Sequence, residues 1–420
     1  MLIKKHNKMK MNTWQIIYLF HFLFLSIMVG CSSNSQPVTN KPPDMEWHKS
    51  YQGSGEEAHG HYIIACSDGG FLQVGETGFI KNSTAKIFIV KTDSLGELLW
   101  KKEIGEAGYN LGNSVLETAD SNYLLAGALN QNSALIKMDA SDGSIIWQQT
   151  YPNSGENAIE GIDETSDGAI ICAGYTNGAG EHTFFSEGKG YLMKTDASGT
   201  KEWHKDMSSY VAQCYRVKEV NDGFIISGLT EEAMDFALIK TNFSGEVEWN
   251  NIYGGTADEH CFGMDVSGEG NIYLTGHTRS GTINWDTYTV KVSPYGRQVW
   301  ENTRGNPRGY DPEFIHDEAW GVRATPDGGC LVVAGTGDEY PYSSCDGSPG
   351  CSDQWCIYLI KYSYDGTFEW EQAVTDKEGN HWAGEDVALT CDGGCIVATD
   401  DSGFGFVKFA SFGSAPADCK

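Results

Sequence analysis

From about residue 46 onward apolar and polar positions follow a strand-like pattern, and one stretch shows the repeating unit in full. Tyr215 to Val220 alternates in character, Asn221-Asp222-Gly223 makes a tight turn, and Phe224 to Gly228 forms a more apolar run. Ala237 to Thr241 is a third short run, Asn242 to Gly245 a turn ending in glycine, and Glu246 to Trp249 a fourth segment. Four such strands, here A to D, joined by turns of few residues predict an antiparallel sheet. No sustained helical period occurs after the N-terminal segment.

The unit recurs. A tryptophan closes each of six units, at Trp100, Trp147, Trp203, Trp249, Trp300 and Trp370, with Trp47 opening the series at intervals of 53, 47, 56, 46, 51 and 70 residues. A glycine stands four residues before each closing tryptophan (Gly96, Gly143, Gly199, Gly245, Gly296, Gly366). A lysine stands nine or ten before it (Lys91, Lys137, Lys194, Lys240, Lys291, Lys361). Asp-Gly or Glu-Gly turns begin at Asp68, Asp167, Asp222, Glu269, Asp327 and Asp392. A period near 45 to 50 residues is what a four-stranded propeller blade requires. The last unit, with Asp392-Gly393-Gly394 and Phe406 to Phe409, stops without its tryptophan strand, whereas Met45 to His48 carries that signature with no strands before it. The N-terminal strand is therefore expected to complete the last blade, since an open ring would leave sheet faces and a strand edge in water. The predicted fold is all-β, a seven-bladed propeller over residues 45–412, with 413–420 as a tail. Repetition in every blade assigns the tryptophans to blade–blade packing, and the lysines to covering that surface while pairing with a nearby carboxylate.

Gly-x-x-x-Trp closing each blade, with Asp-Gly-Gly between strands, resembles the quinoprotein-type propeller repeats over about residues 46–412. The resemblance implies a propeller. Dehydrogenases of that superfamily have eight blades, a pyrroloquinoline quinone on a tryptophan and a calcium ion. Seven units and no alignable cofactor constellation leave that activity uncarried, so no cofactor is expected. The chain is also similar in outline to the propeller lipoprotein of the outer-membrane protein-assembly machine, a scaffold with a different blade number.

The N-terminal thirty residues are of another kind: Lys4, Lys5, Lys8 and Lys10 with no acid, then an apolar run from Trp14 to Val29 ending in Met28-Val29-Gly30-Cys31. A basic segment, an apolar core and small residues before a cysteine read as a signal peptide (1–30). The last four residues resemble a bacterial lipobox, in which Met28 replaces the usual leucine. The resemblance implies a lipid on Cys31 and a membrane anchor, followed by a polar tether over 31–44. Serine after the cysteine points to the outer membrane in diderm bacteria.

Losing residues 1–30 would take four lysines and no acid from 29 basic and 57 acidic residues, leaving a formal charge of −32. Nucleic acid and anionic lipid surfaces are therefore poor partners. Twelve cysteines suit an oxidising compartment. Cys345, Cys351 and Cys356 crowd one insertion beside Cys330, Cys391 and Cys395 flank a short turn, and Cys214 and Cys261 hold equivalent A-strand places, a candidate tie between blades. Connectivity stays open.

In a propeller the D-to-A and B-to-C loops emerge on one face, and the sequence elaborates that face. The sixth unit is enlarged at 302–317 and 336–353, the third at 175–189, and the fifth places Trp285 in its B-to-C connection. The starts of the A strands reach the same face and differ from blade to blade. A ring of histidine, carboxylate and aromatic side chains is expected around one mouth, from His61, Glu160, Tyr215, His260, Phe262, Trp285, Asp317, Trp320, His381, Trp382 and Glu385. Aromatics beside carboxylates suit a sugar, a cation or a peptide. No histidine spacing matches a zinc motif; Asp338, Asp346 and Asp353 are calcium candidates, without a twelve-residue loop pattern. The reading that follows is a monomeric, envelope-anchored, non-enzymatic propeller that binds a protein, peptide or glycan through its loop-rich face. The alternative is a polysaccharide hydrolase or lyase using Glu160, Glu259, Asp317, Glu318 or Glu385 as acid and base.

Overall fold

The computed structural model describes residues 41–420 apart from 56, 179–187, 232–233, 338–353, 376–379, 402, 418 and 420. The signal segment, Cys31 and most of the tether lie outside the described residues, as do Asp338, Asp346, Asp353, Cys345 and Cys351.

The described strands form seven four-stranded sheets, each antiparallel in A-B-C-D order. Blade 4 is built from Gln213–Val220, Gly223–Leu229, Phe236–Thr241 and Val247–Tyr253. Its D strand runs four residues beyond Trp249, because Tyr253 still pairs with Phe236 at the far end of strand C. Blade 7 takes its outer strand from the start of the domain. Met45–Tyr51 pairs antiparallel with Phe404–Phe409, Trp47 opposite Lys408 and Tyr51 opposite Phe404. The ring closes as the tryptophan count required, and among the described residues the only helical element is the 3-10 turn Ile80–Asn82.

Side chains alternate across each strand, so both faces of every inner sheet are apolar and each blade is buried against two others. Between blades 3 and 4, Ile171, Leu192, Val217, Phe224, Ile226 and Ile239 form one continuous core. Burying a side chain of this size contributes roughly 1.5–3 kcal/mol.

The Gly-x-x-x-Trp motif links blades. The tryptophan of one blade lies on the C-to-D turn glycine of the next: a Cβ on Gly96 would stand 2.6 Å from the Trp47 ring, and one on Gly199 2.9 Å from Trp147. Gly143, Gly245, Gly296 and Gly366 receive Trp100, Trp203, Trp249 and Trp300 in the same way. These glycines also sit at positive φ, +79° at Gly199, so the turn and the approaching indole both require a missing side chain. Blade 7 has no such turn, because its C strand leads to the C-terminal tail. Trp370 instead packs edge-on against Phe412, ring centroids 5.6 Å apart, and is the most buried of the series.

The repeated lysine pairs with the aspartate of its own A-to-B turn: Lys91 with Asp68 at 2.8 Å, Lys194 with Asp167 at 2.7 Å, Lys361 with Asp327 at 2.9 Å. The aspartate also caps the turn, as Asp68 accepts the Gly70 N–H at 2.8 Å. Blade 5 departs from the rule. Its turn carries Glu269, and Lys291 donates to the Tyr364 carbonyl at 2.8 Å with its ammonium 3.5 Å from the Tyr364 ring centre. Burial lowers the Lys291 pKa.

The cysteine expectations need correction. Cys214 and Cys261 are not joined. Cys214 lies in the core between blades 3 and 4 and Cys261 in that between blades 4 and 5, each a buried free thiol. Cys330 and Cys356 are likewise free and buried. Cys391 bonds Cys419, tying the tail to blade 7.

Candidate functional site at the channel mouth

All seven A strands share a local irregularity. Pairing with strand B skips one residue early in each A strand, the signature of a β-bulge, and the skipped residues are His61, Asn113, Glu160, Tyr215, Phe262, Trp320 and Glu385. A bulge adds a residue and turns its side chain out of the pleat. Repeated on the inner strand of every blade, it makes a seven-membered ring. B-to-C loops meet D-to-A entries on this face: the Asp317 N–H donates to the Trp285 carbonyl at 2.8 Å, and Asn157 N–H to Gln131 at 3.1 Å.

The ring has two halves. Blades 4 to 6 contribute aromatics, with Tyr215 edge-on to Phe262 at 5.2 Å and Phe262 tilted on Trp320 at 4.3 Å between centroids. Blades 7, 1, 2 and 3 contribute Glu385, His61, Asn113 and Glu160. Asn113 donates to Glu160 at 2.8 Å, and His61 Nε2 lies 2.6 Å from Glu76. Beside His61, His59 Nδ1 lies 2.7 Å from Asp400.

Burial strains the ionisation of these groups. Loss of solvent pushes Glu160 up to about 7, against the pull of Arg216 and His61. Burial and then Asp400 push Glu385 up to about 8. His59 and His61 would be lowered by burial, but Asp400 raises the former to about 10 and Glu76 raises the latter.

Six of the expected residues, His61, Glu160, Tyr215, Phe262, Trp320 and Glu385, are therefore ring members. His260 and Trp285 stand behind the aromatic half, 4.6 Å apart between centroids; His260 lies edge-on to Phe262, and His277 touches His260, Trp285, Phe262 and Trp320. Trp285 is partly covered, with Arg279 5.5 Å from its ring. Burial lowers His260 to about 4 and takes His277 well below the ordinary imidazole value. Asp317 is buried beneath the D-to-A entry, accepting the Asn306 N–H at 2.8 Å, and burial raises it to about 7. Trp382 does not reach the mouth: it belongs to the core between blades 6 and 7, 4.2 Å from the His48 ring on the closing strand. His381, one residue earlier, sits at that seam and accepts the Trp355 N–H at 3.2 Å.

Below the ring the channel holds charged residues that sequence reasoning missed. Arg216 of blade 4 and Arg323 of blade 6 lie 5.1 and 5.3 Å from the Tyr62 ring of blade 1. Arg323 pairs with Asp386 at 2.9 Å and Lys218 with Asp163 at 3.2 Å. Arg216 directly follows a ring residue and Lys218 and Arg323 stand three places after one, a regularity that shows only once the ring is known. Among the described residues no cluster of three or more histidine, cysteine or acidic groups could hold a metal. A surface cleft of about 280 Å³ on blade 3, lined by Lys189, Tyr191, His204 and Asp206 among others, includes no ring residue.

Residues 88–229 match the family model described as outer membrane protein assembly factor BamB. The match supports quinoprotein-like repeats over that stretch. No curated protein matches the chain. Among solved structures the chain is similar to the Neurospora crassa Pan2 WD40 domain, at 13% identity and a TM-score of 0.55, covering 84% of this chain and 89% of that one. The Dos1 propeller gives 12% identity and a TM-score of 0.48 over 89% and 96%. The WD40 likeness shows the fold alone. The quinoprotein-like match spans strand C of blade 1 to strand B of blade 4, and so includes Asn113, Glu160 and Tyr215 of the ring.

Proposed function

We propose that the chain is a non-enzymatic binding module that receives a protein or peptide on its loop-rich face, with the bulge ring as its specific contact. The carrying observation is one backbone feature repeated in seven blades with six kinds of side chain. Packing asks for the same residue in every blade, whereas recognition asks for different ones. The match to an outer membrane assembly factor model, whose name denotes work among proteins, supports a protein ligand over a small molecule. Lipid attachment at Cys31 and an outer-membrane address extend the same reading.

The polysaccharide-cleaving alternative draws less support. It needs two accessible carboxyls facing one cleft. Glu160, Glu259 and Asp317 are buried, and Glu318 is engaged by His316 at 3.1 Å. The test is affinity capture from the native envelope with the wild-type chain and with a Trp320→Ala/Glu385→Gln variant. Proteins retained by the first and lost by the second support the reading; identical retention sinks it. Cys31→Ser should move the chain from the membrane to the soluble fraction.

A further inference from the structure

The ring is not equally open. Asn113, Glu160, Tyr215 and Phe262 are buried, whereas Trp320, Glu385 and His61, on the consecutive blades 6, 7 and 1, are partly exposed. Gly321 packs against Asp386, so the A strands of blades 6 and 7 run side by side where they carry Trp320 and Glu385. Phe262 and His277 back the indole from the blade 5 side. Charged groups around Glu385 are already matched: His61 with Glu76, His59 with Asp400, His316 with Glu318, Arg323 with Asp386. Glu385 accepts no hydrogen bond from another described residue.

We propose that this open arc captures a basic side chain of a peptide, its guanidinium or ammonium held between the face of Trp320 and the carboxylate of Glu385. The inference rests on the binding reading above and names the chemistry of its ligand. An indole beside a carboxylate is the pairing that desolvated cations favour. The matched pairs leave little net charge beside Glu385, and the acidic chain draws basic ligands from a distance. A cation at Glu385 replaces its proton. The groups facing that carboxyl are Asp400 on the adjacent strand, His59 and His61 from blade 1, and Glu318 from blade 6. Glu76 raises His61 and Asp400 raises His59 to about 10, whereas Glu385, raised to about 8, loses its proton below the His59 value, so the site becomes more negative as pH rises through 8.

The test is titration calorimetry of the full chain with acetyl-Gly-Arg-Gly-amide and with its uncharged citrulline counterpart. The arginine peptide should bind about tenfold or more tightly than the citrulline peptide, a difference of about 1.4 kcal/mol. Its affinity should rise between pH 6 and pH 9, with proton release visible as a buffer-dependent heat. Glu385→Gln should abolish both the charge preference and the pH dependence, with Glu385→Asp as a second variant that keeps the charge. Trp320→Leu should weaken both peptides and leave the pH dependence in place. Equal affinities, no binding of either peptide, an unchanged preference in Glu385→Gln, or tighter binding of a neutral oligosaccharide would each overturn it. Ring-dependent capture of envelope proteins would then still stand, so the two readings fail separately.

Discussion

The outer girdle and the inner ring of this propeller obey opposite rules. On the girdle, six of the seven D-strand tryptophans rest on the next blade's turn glycine, and the C-strand lysines outside blade 5 reach their own turn, so one chemistry is used over and over. On the ring, one backbone feature, the A-strand bulge, recurs in all seven blades while the side chain changes from histidine to asparagine, glutamate, tyrosine, phenylalanine, tryptophan and glutamate. Identity under repetition marks an interface that must fit itself. Variation at a fixed geometry marks a surface shaped by something else.

Substitutions can break that contrast. Trp203→Ala should have the largest effect, about 3 kcal/mol, because it empties a blade–blade contact with Phe224; urea unfolding would measure it. Gly199→Ala should cost about 2 kcal/mol, since a left-handed turn and the Trp147 ring both exclude a side chain, and a lowered thermal midpoint is the readout. Asp327→Asn should cost about 1 kcal/mol by weakening a pair to the buried Lys361, while Glu269→Gln in blade 5, where the lysine uses Tyr364, should stay within about 0.5 kcal/mol. Similar losses at both positions would show that the turn acid matters for another reason.

The ring groups also give the stability a pH dependence. Glu160 and Glu385 are raised to about 7 and about 8, above their unfolded values, so the folded chain carries extra protons from about pH 4.5 upward. Stability contributed by the protonated carboxyls is therefore lost as pH rises toward 8. His59, raised to about 10, acts in the same direction, contributing fully below its unfolded value and declining as pH climbs toward 10. His260, lowered to about 4, opposes them only on the acid side. The thermal midpoint should fall from pH 6 to pH 9, and Glu385→Gln should flatten that slope.

What the sequence made legible follows the same division. Seven blades and the closing strand at Trp47 could be counted, because a structural motif must reappear in each unit. The partner of each tryptophan could not, since the glycine four residues upstream belongs to the same blade and serves the preceding one. Six ring members were among the expected residues because blade-to-blade differences stand out against a regular repeat. Trp382 was misjudged on the same criterion: it also breaks the pattern, but it does so to fill the seam where the chain's two ends meet. The bulge itself has no residue signature, and Arg216, Lys218 and Arg323 are ordinary for an exposed strand until seven such strands face one channel.

Trp203→Ala and Trp320→Ala, measured side by side for unfolding free energy and for affinity to the arginine peptide, test the division most directly. The account predicts that the Trp203 variant loses about 3 kcal/mol of stability and keeps its affinity within about twofold. The Trp320 variant should lose at most about 1.5 kcal/mol of stability and bind about tenfold more weakly. Two variants that lose stability and affinity in parallel would contradict it, because girdle and ring would then be one structure with one task.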